Sequence, residues 1–131
     1  MAIITALPNP NERPKLARER PDAYVQTHLA ENYQEICQVA ETFTESSSYA
    51  QVYEQAGLLG AHTILAHCIY LSPQERALLL HNGCAVAHCP SSNLKLASGI
   101  APVSKLLRAG VNIGLGTDGA ASNNRLDLLE E

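Results

Sequence analysis

The sequence predicts an α/β fold of parallel strand–helix units, and three observations carry that prediction. Four short segments have strand character, helical patterns alternate with them, and a polar residue capable of chemistry closes each one. Strand–helix alternation implies parallel strands joined by right-handed crossovers. Four such units make either a small open sheet or half of an eight-stranded barrel, which takes about 250 residues when whole.

The elements follow in order. Pro8, Pro10, Pro14 and Pro21 are interleaved with charged residues, which predicts a loop over 8–21 with a short helix around 15–19. Strands are expected at 24–28, 63–67, 84–88 and 111–115. All but the first are largely apolar, as strands buried on both faces should be. Ile36, Val39, Ala40 and Phe43 recur at helical spacing and place a helix over 32–43, while Ser46, Ser47 and Ser48 mark a loop. Ser72 as N-cap, Pro73 in the first turn and Glu75 three residues on open another helix, which runs through Leu80 and ends near Gly83. A third covers 102–109 and is closed by Gly110; a last one is expected to begin at Arg125.

At 131 residues the chain is one domain at most, by a prior of roughly 150 residues each. Apolar residues at 46% and charged residues at 17% are a globular balance, not a disordered one. A net charge of −4, with nine Lys+Arg and no basic block, argues against a nucleic-acid partner. No apolar run approaches the roughly 20 residues of a membrane span, and residues 2–7 lack the basic flank of a signal peptide. Cys37, Cys68, Cys84 and Cys89 form no C-x-x-C pair; three sit in or beside strand-like runs, as expected of reduced thiols in a cytoplasmic protein.

His28, His67, His88 and Asp118 each fall at or just past the C-terminal end of a predicted strand. Ligands and reactions gather at that edge in α/β proteins. A lone histidine in an apolar run is more often a hydrogen-bonded core residue, but packing alone would not choose the same edge four times. Glu31, three residues after His28, extends over the same edge, where a carboxylate can shuttle protons beside a metal-binding imidazole. Gly114-Leu115-Gly116-Thr117-Asp118 runs a strand into an acid, with glycines that permit close backbone approach. A turn aspartate capping Gly119-Ala120-Ala121-Ser122 is the plainer reading of that acid.

In order along the chain, Thr27-His28-Leu29-Ala30-Glu31-Asn32, Leu65-Ala66-His67-Cys68, Ala87-His88-Cys89-Pro90-Ser91-Ser92-Asn93 and Gly114-Leu115-Gly116-Thr117-Asp118 resemble the aminohydrolase branch of the metal-dependent amidohydrolase superfamily. The resemblance implies the C-terminal half, about strands 5–8, of a TIM-type (β/α)8 barrel over 24–131, with 1–23 a loop-rich remnant of the preceding unit. It implies hydrolytic deamination of a purine or related heterocycle with one divalent ion, zinc or in its place iron. His28 and Asp118 would be metal ligands, with His67 as an optional third. Asp118 would take a proton from the attacking water, Glu31 would pass one to a ring nitrogen, and His67 would orient the water or the amine-bearing carbon. His88 joins His67 as a candidate substrate contact, and Asn93 is given no catalytic role.

Residues 25–90 look more like guanine deaminase, which makes guanine the first expectation for substrate. Residues 91–129 look more like the S-adenosylhomocysteine/methylthioadenosine deaminases, the alternative, with triazine hydrolysis beside it. The family also takes two ligands from an H-x-H pair, and His28, His62, His67, His81 and His88 include no such pair. The sequence therefore reads as a fragment of the parent enzyme. A half barrel would expose sheet edges, so a non-catalytic remnant that self-associates or joins a complementary half is the reading from another class.

Overall fold

A computed structural model describes Ile3–Ile4, Glu19, Arg20 and residues 22–131. The loop and short helix expected over 8–21 lie outside the described residues, apart from Glu19 and Arg20. Among the described residues, five strands form one parallel sheet in sequence order: β1 (Ile3–Ile4), β2 (Tyr24–Leu29), β3 (Thr63–His67), β4 (Ala85–His88) and β5 (Asn112–Leu115). The four expected strands are present to within a residue at each end. The two-residue β1, which pairs Ile3 with Tyr24 and Ile4 with Val25, is an addition within the lead-in.

Strand alternation sorts the sheet into two unlike faces. Val25, Thr27, Leu29, Thr63, Leu65 and Val86 are buried against helices, and the residues between them are not. Gln26 and His28 on β2 and Asn112 and Gly114 on β5 are exposed, while Ile64, Ala66, Ala85 and Ala87 are half-buried. The expectation of burial on both faces is thus corrected: among the described residues, helices cover one side only. The alternation was hidden because the open face of β3 and β4 carries Ile64 and alanines, small or apolar like the core.

On the covered side lie α1 (Tyr33–Thr42), α2 (Tyr49–Gln55) and α3 (Pro73–His81); α4 (Pro90–Lys95) follows β4 at the C-terminal edge, and α5 (Val103–Arg108) packs beside β5. Their starts are written locally. Asn32 Oδ1 accepts from the Glu35 N–H at 2.9 Å, and Ser48 Oγ from Gln51 at 3.3 Å. In α3 the capping box is complete, since Ser72 accepts from Glu75 N and Glu75 Oε2 from Ser72 N. Glu75 is buried and its second oxygen accepts from Ala50 N at 3.2 Å, so it also pins α2. Leu29, Leu65, Leu79, Val86 and Leu106 are fully buried, each contributing about 1.5–3 kcal/mol of transfer free energy.

The helix expected from Arg125 does not form. Residues 121–131 are irregular, with turns at 121–122 and 128–129, and Asn123 Oδ1 accepts from Arg125 N and Asp127 Oδ1 from Leu129 N. These side-chain bonds compete with helical ones, and Leu126, Leu128 and Leu129 stay exposed. Cys68, Cys84 and Cys89 are buried and Cys37 is exposed on α1; burial, then the nearby Asp118 charge, pushes the Cys89 thiol up to about 11. Among the described residues no helix is long and apolar enough to cross a membrane.

Candidate active site

The C-terminal edge of the sheet brings Glu31, His67 and Asp118 together. His67 closes β3, Glu31 follows β2 by two residues, and Asp118 follows β5 by three. His67 Nε2 stands 3.7 Å from Glu31 Oε2 and 3.9 Å from Asp118 Oδ2. The backbone turns sharply to achieve this: Ala30, His67, Cys68 and Asp118 all hold left-handed conformations, with φ of 51°, 68°, 50° and 57°. Such conformations cost of order 1–3 kcal/mol each in residues with a Cβ, and they cluster here at three strand ends. At Gly116 the close approach expected from the sequence is real, because a Cβ there would meet Cys89 Sγ at 3.0 Å. Gly114 has open space.

Each of the three groups is tied from behind. Glu31 Oε1 accepts from Ser98 Oγ at 2.7 Å. His67 Nδ1 is 2.7 Å from Asn93 Oδ1 and the ring is buried. Asp118 Oδ2 accepts from Ser92 Oγ and Ser122 Oγ, both at 2.7 Å. Partial burial works to raise the Asp118 carboxyl, but the two hydroxyls and the nearby His67 hold it below the ordinary value. The turn reading of Asp118 also has substance, since Ser122 bonds it and closes the bend through Gly119 O.

His28 sits on the open face beside Gln26, and its Nε2 pairs with Glu35 Oε1 at 2.7 Å. Tyr49 Oη donates to that same oxygen, while Glu35 Oε2 accepts from Glu31 N at 3.1 Å. The Glu35 hydrogen bond raises the His28 pKa against the opposing effect of burial. His88 ends β4 with its Nδ1 buried and unbonded among the described residues, and burial lowers its pKa. The sequence reading missed Glu35, Ser92 and Ser98; the only local signal was the polar run after His88.

His28, His67 and Asp118 offer the nitrogen and oxygen donors that suit zinc. Among the described residues, no three His, Cys, Asp or Glu side chains are grouped tightly enough to hold one ion. Ligands at 2.0–2.2 Å from a tetrahedral ion lie roughly 3.3 Å apart, so the His67–Asp118 pair is near bridging distance. Beside them a cavity of about 590 Å3 opens on the uncovered face, lined by Gln26, Ala66, Ala87, Cys89, Leu115 and Asp118 among others. That volume is within the usual range for small-molecule sites.

A profile of the Amidohydrolase family matches residues 13–131. A 5-methylthioadenosine/S-adenosylhomocysteine deaminase of Thermococcus kodakarensis is 47% identical over 89% of this chain and 27% of its own length. Among solved structures, E. coli guanine deaminase superposes with a TM-score of 0.84 at 35% identity, covering 91% of this chain and 28% of that one. A Xanthomonas campestris adenosine deaminase with bound zinc gives 0.83 at 37%, covering 94% and 28%. The chain thus spans a little over a quarter of the length of these relatives, and it overlays part of their (β/α)8 barrels.

Proposed function

The chain belongs to the amidohydrolase family, and on that premise we propose that it carries part of a metal-dependent deaminase acting on the exocyclic amine of an adenine nucleoside. The substrate class is 5-methylthioadenosine or S-adenosylhomocysteine. One observation carries the reading: two carboxylates, Glu31 and Asp118, flank a single imidazole nitrogen at 3.7 and 3.9 Å on the sheet edge where such chemistry occurs.

His28 and Asp118 would hold the ion, with His67 as the third ligand or as the group that orients substrate. Zinc, or iron in its place, would make a nucleophilic water available at neutral pH. Asp118, held ionised by Ser92 and Ser122, is suited to take a proton from that water as its oxygen attacks the amine-bearing carbon. Glu31 presents Oε2 while Ser98 holds Oε1, so it is suited to deliver a proton to the adjacent ring nitrogen. The attacking water would supply both protons, one reaching the ring nitrogen through Glu31 and the other reaching the amine through Asp118, so that the C–N bond breaks with ammonia leaving and a carbonyl left on the ring.

The 47% identity to the Thermococcus enzyme supports an adenine nucleoside over guanine, the substrate that residues 25–90 first suggested. Guanine remains the second reading, favoured by the likeness to the E. coli structure. The reading of a non-catalytic half is supported by the uncovered face and by the exposed Leu115, Leu126 and Leu128, which would seat a complementary set of β/α units.

The test is a chimera in which residues 13–131 replace the matching stretch of the Thermococcus relative. Zinc content and ammonia release are measured with S-adenosylhomocysteine, methylthioadenosine and guanine. We expect kcat/KM for the nucleosides to exceed that for guanine at least tenfold. Preference for guanine would reverse the substrate assignment, and a folded, zinc-loaded but inert chimera would establish the non-catalytic reading.

A further inference from the structure

We infer that one short stretch, from Ser92 to Ser98, is the positioning frame of the candidate site. It supplies a hydrogen bond to each of the three groups gathered there. Ser92 Oγ donates to Asp118 Oδ2, Asn93 Oδ1 meets His67 Nδ1, and Ser98 Oγ donates to Glu31 Oε1, each at 2.7 Å. The inference rests on the function proposed above and deepens it: these are positioning residues, acting through Glu31, His67 and Asp118.

The frame is rigid for reasons visible in its own backbone. Ser92, Asn93 and Ser98 are 0%, 1% and 6% exposed, far below ordinary polar residues. Asn93 N donates to Cys89 O, and Asn93 O accepts from Ser98 N at 2.9 Å, which closes the turn after α4. Ala97 takes a left-handed φ of 54° within that turn. Tyr70 Oη donates to Ser98 O at 2.7 Å, and a Cβ at Gly99 would come within 2.5 Å of that Tyr70 hydroxyl. The Ser98 hydroxyl therefore has a defined place independent of Glu31.

Each bond fixes a chemical property as well as a position. With Ser98 on Oε1, Oε2 is the Glu31 oxygen presented to His67. With Asn93 Oδ1 accepting from Nδ1–H, the neutral His67 ring keeps its lone pair on Nε2, the nitrogen turned toward Glu31 and Asp118. The three bonds come from α4 and the turn that Ser98 N and Asn93 O close behind it, so one short stretch of chain sets the positions of all three groups.

The experiment uses the 131-residue chain with nitrogen-15 histidine, at about pH 8.5 where ordinary imidazoles are neutral. Long-range proton–nitrogen correlation should show His67 protonated at Nδ1 and bare at Nε2. Asn93→Leu should convert it to a tautomer mixture, and Asn93→Asp, which keeps an acceptor, should restore the single form. A folded Asn93→Leu chain with unchanged His67 shifts, or a wild-type ring protonated at Nε2, would overturn the assignment. Should Asn93→Leu not fold, Ser98→Ala against Ser98→Thr decides through side-chain couplings of Glu31. One rotamer is expected in wild type and Ser98→Thr, and averaging in Ser98→Ala; a single rotamer in all three would overturn the frame. Neither measurement needs metal or turnover, so an inert chimera would end the functional reading alone, and unmoved resonances would end the frame alone.

Discussion

Ser98 Oγ donates to Glu31 Oε1 at 2.7 Å although the two residues are 67 positions apart in the chain. The bond joins the loop after β2 to the turn after α4, across the width of β3 and β4. The position of Glu31 is therefore a property of the assembled sheet, and no peptide covering β2 and α1 alone would reproduce it.

In the chimera, Glu31→Gln should keep zinc and lose turnover by about 10²–10⁴-fold, the usual worth of a general acid–base group. Glutamine retains an oxygen for Ser98 Oγ, so the shape of the site survives while the exchangeable proton does not. Each tenfold loss corresponds to about 1.4 kcal/mol of barrier. Metal content measured beside kcat checks the assignment; loss of zinc would place Glu31 among the ligands.

Gly99→Ala should destabilise the chain by about 1–3 kcal/mol, the scale of a strained backbone position. Gly99 holds a φ of +138°, and the added methyl would lie 2.5 Å from Tyr70 Oη and 3.1 Å from an Ile69 methyl. Tyr70 must then release Ser98 O. Urea midpoints of the two chains give the comparison, and equal midpoints would mean that the Tyr70 ring yields freely.

The legible parts of this molecule are those whose cause is local. Ser72, Pro73 and Glu75 lie within four residues and announce α3, and the box they form is the one observed. Strand ends were readable from apolar runs stopping at polar residues, which is why His67 and Asp118 could be placed on one edge. The short helices α2 and α4 escaped: Pro90–Lys95 has a single large apolar residue, Leu94, so no helical period could emerge. Leu126, Leu128 and Leu129 misled in the opposite way, since they supply helical composition yet stay exposed. Of the partners of Glu31 and His67, Asn93 was visible only as part of the polar run after His88 and Ser98 not at all, because each bond forms only once the sheet is assembled.

Replacing Glu35 should make stability less dependent on pH in the middle of the range. The His28–Glu35 hydrogen bond raises the His28 pKa above the ordinary 6.5, so its stabilisation is present below 6.5 and lost as pH rises through the raised value. Burial works to raise Glu35, but His28 and Tyr49 hold it below the ordinary 4.5; that contribution is present above 4.5 and lost as pH falls through the lowered value. Both are in full force between 4.5 and 6.5. With the His28 side chain 48% exposed, screening limits the pair to about 1 kcal/mol or less. Glu35→Gln should lower the His28 pKa toward 6.5 by NMR titration and cost most stability near pH 5.5. A His28 pKa unmoved by the substitution would show that Glu35 is not its partner in solution.

The chain on its own should bind zinc weakly and release no ammonia at enzymatic rates. His67 and Asp118 stand near bridging distance, but His28 is turned to Glu35, and no three ligating side chains are grouped among the described residues. Zinc enzymes hold the ion through three protein ligands, and the sequence has no H-x-H pair to add to those present. The uncovered face leaves the 590 Å3 cavity open to water, so a purine there lacks the contacts that would orient it. Proximity and orientation can supply roughly 7–11 kcal/mol of barrier reduction, and an open site forfeits much of that. Zinc per chain after dialysis, with ammonia release from guanine, adenosine and S-adenosylhomocysteine, measures both expectations. One tightly held zinc per chain, with turnover above ~1 s⁻¹ on any of the three, would show that this edge completes its own site, by His28 leaving Glu35 for the ion or by two copies pooling their ligands.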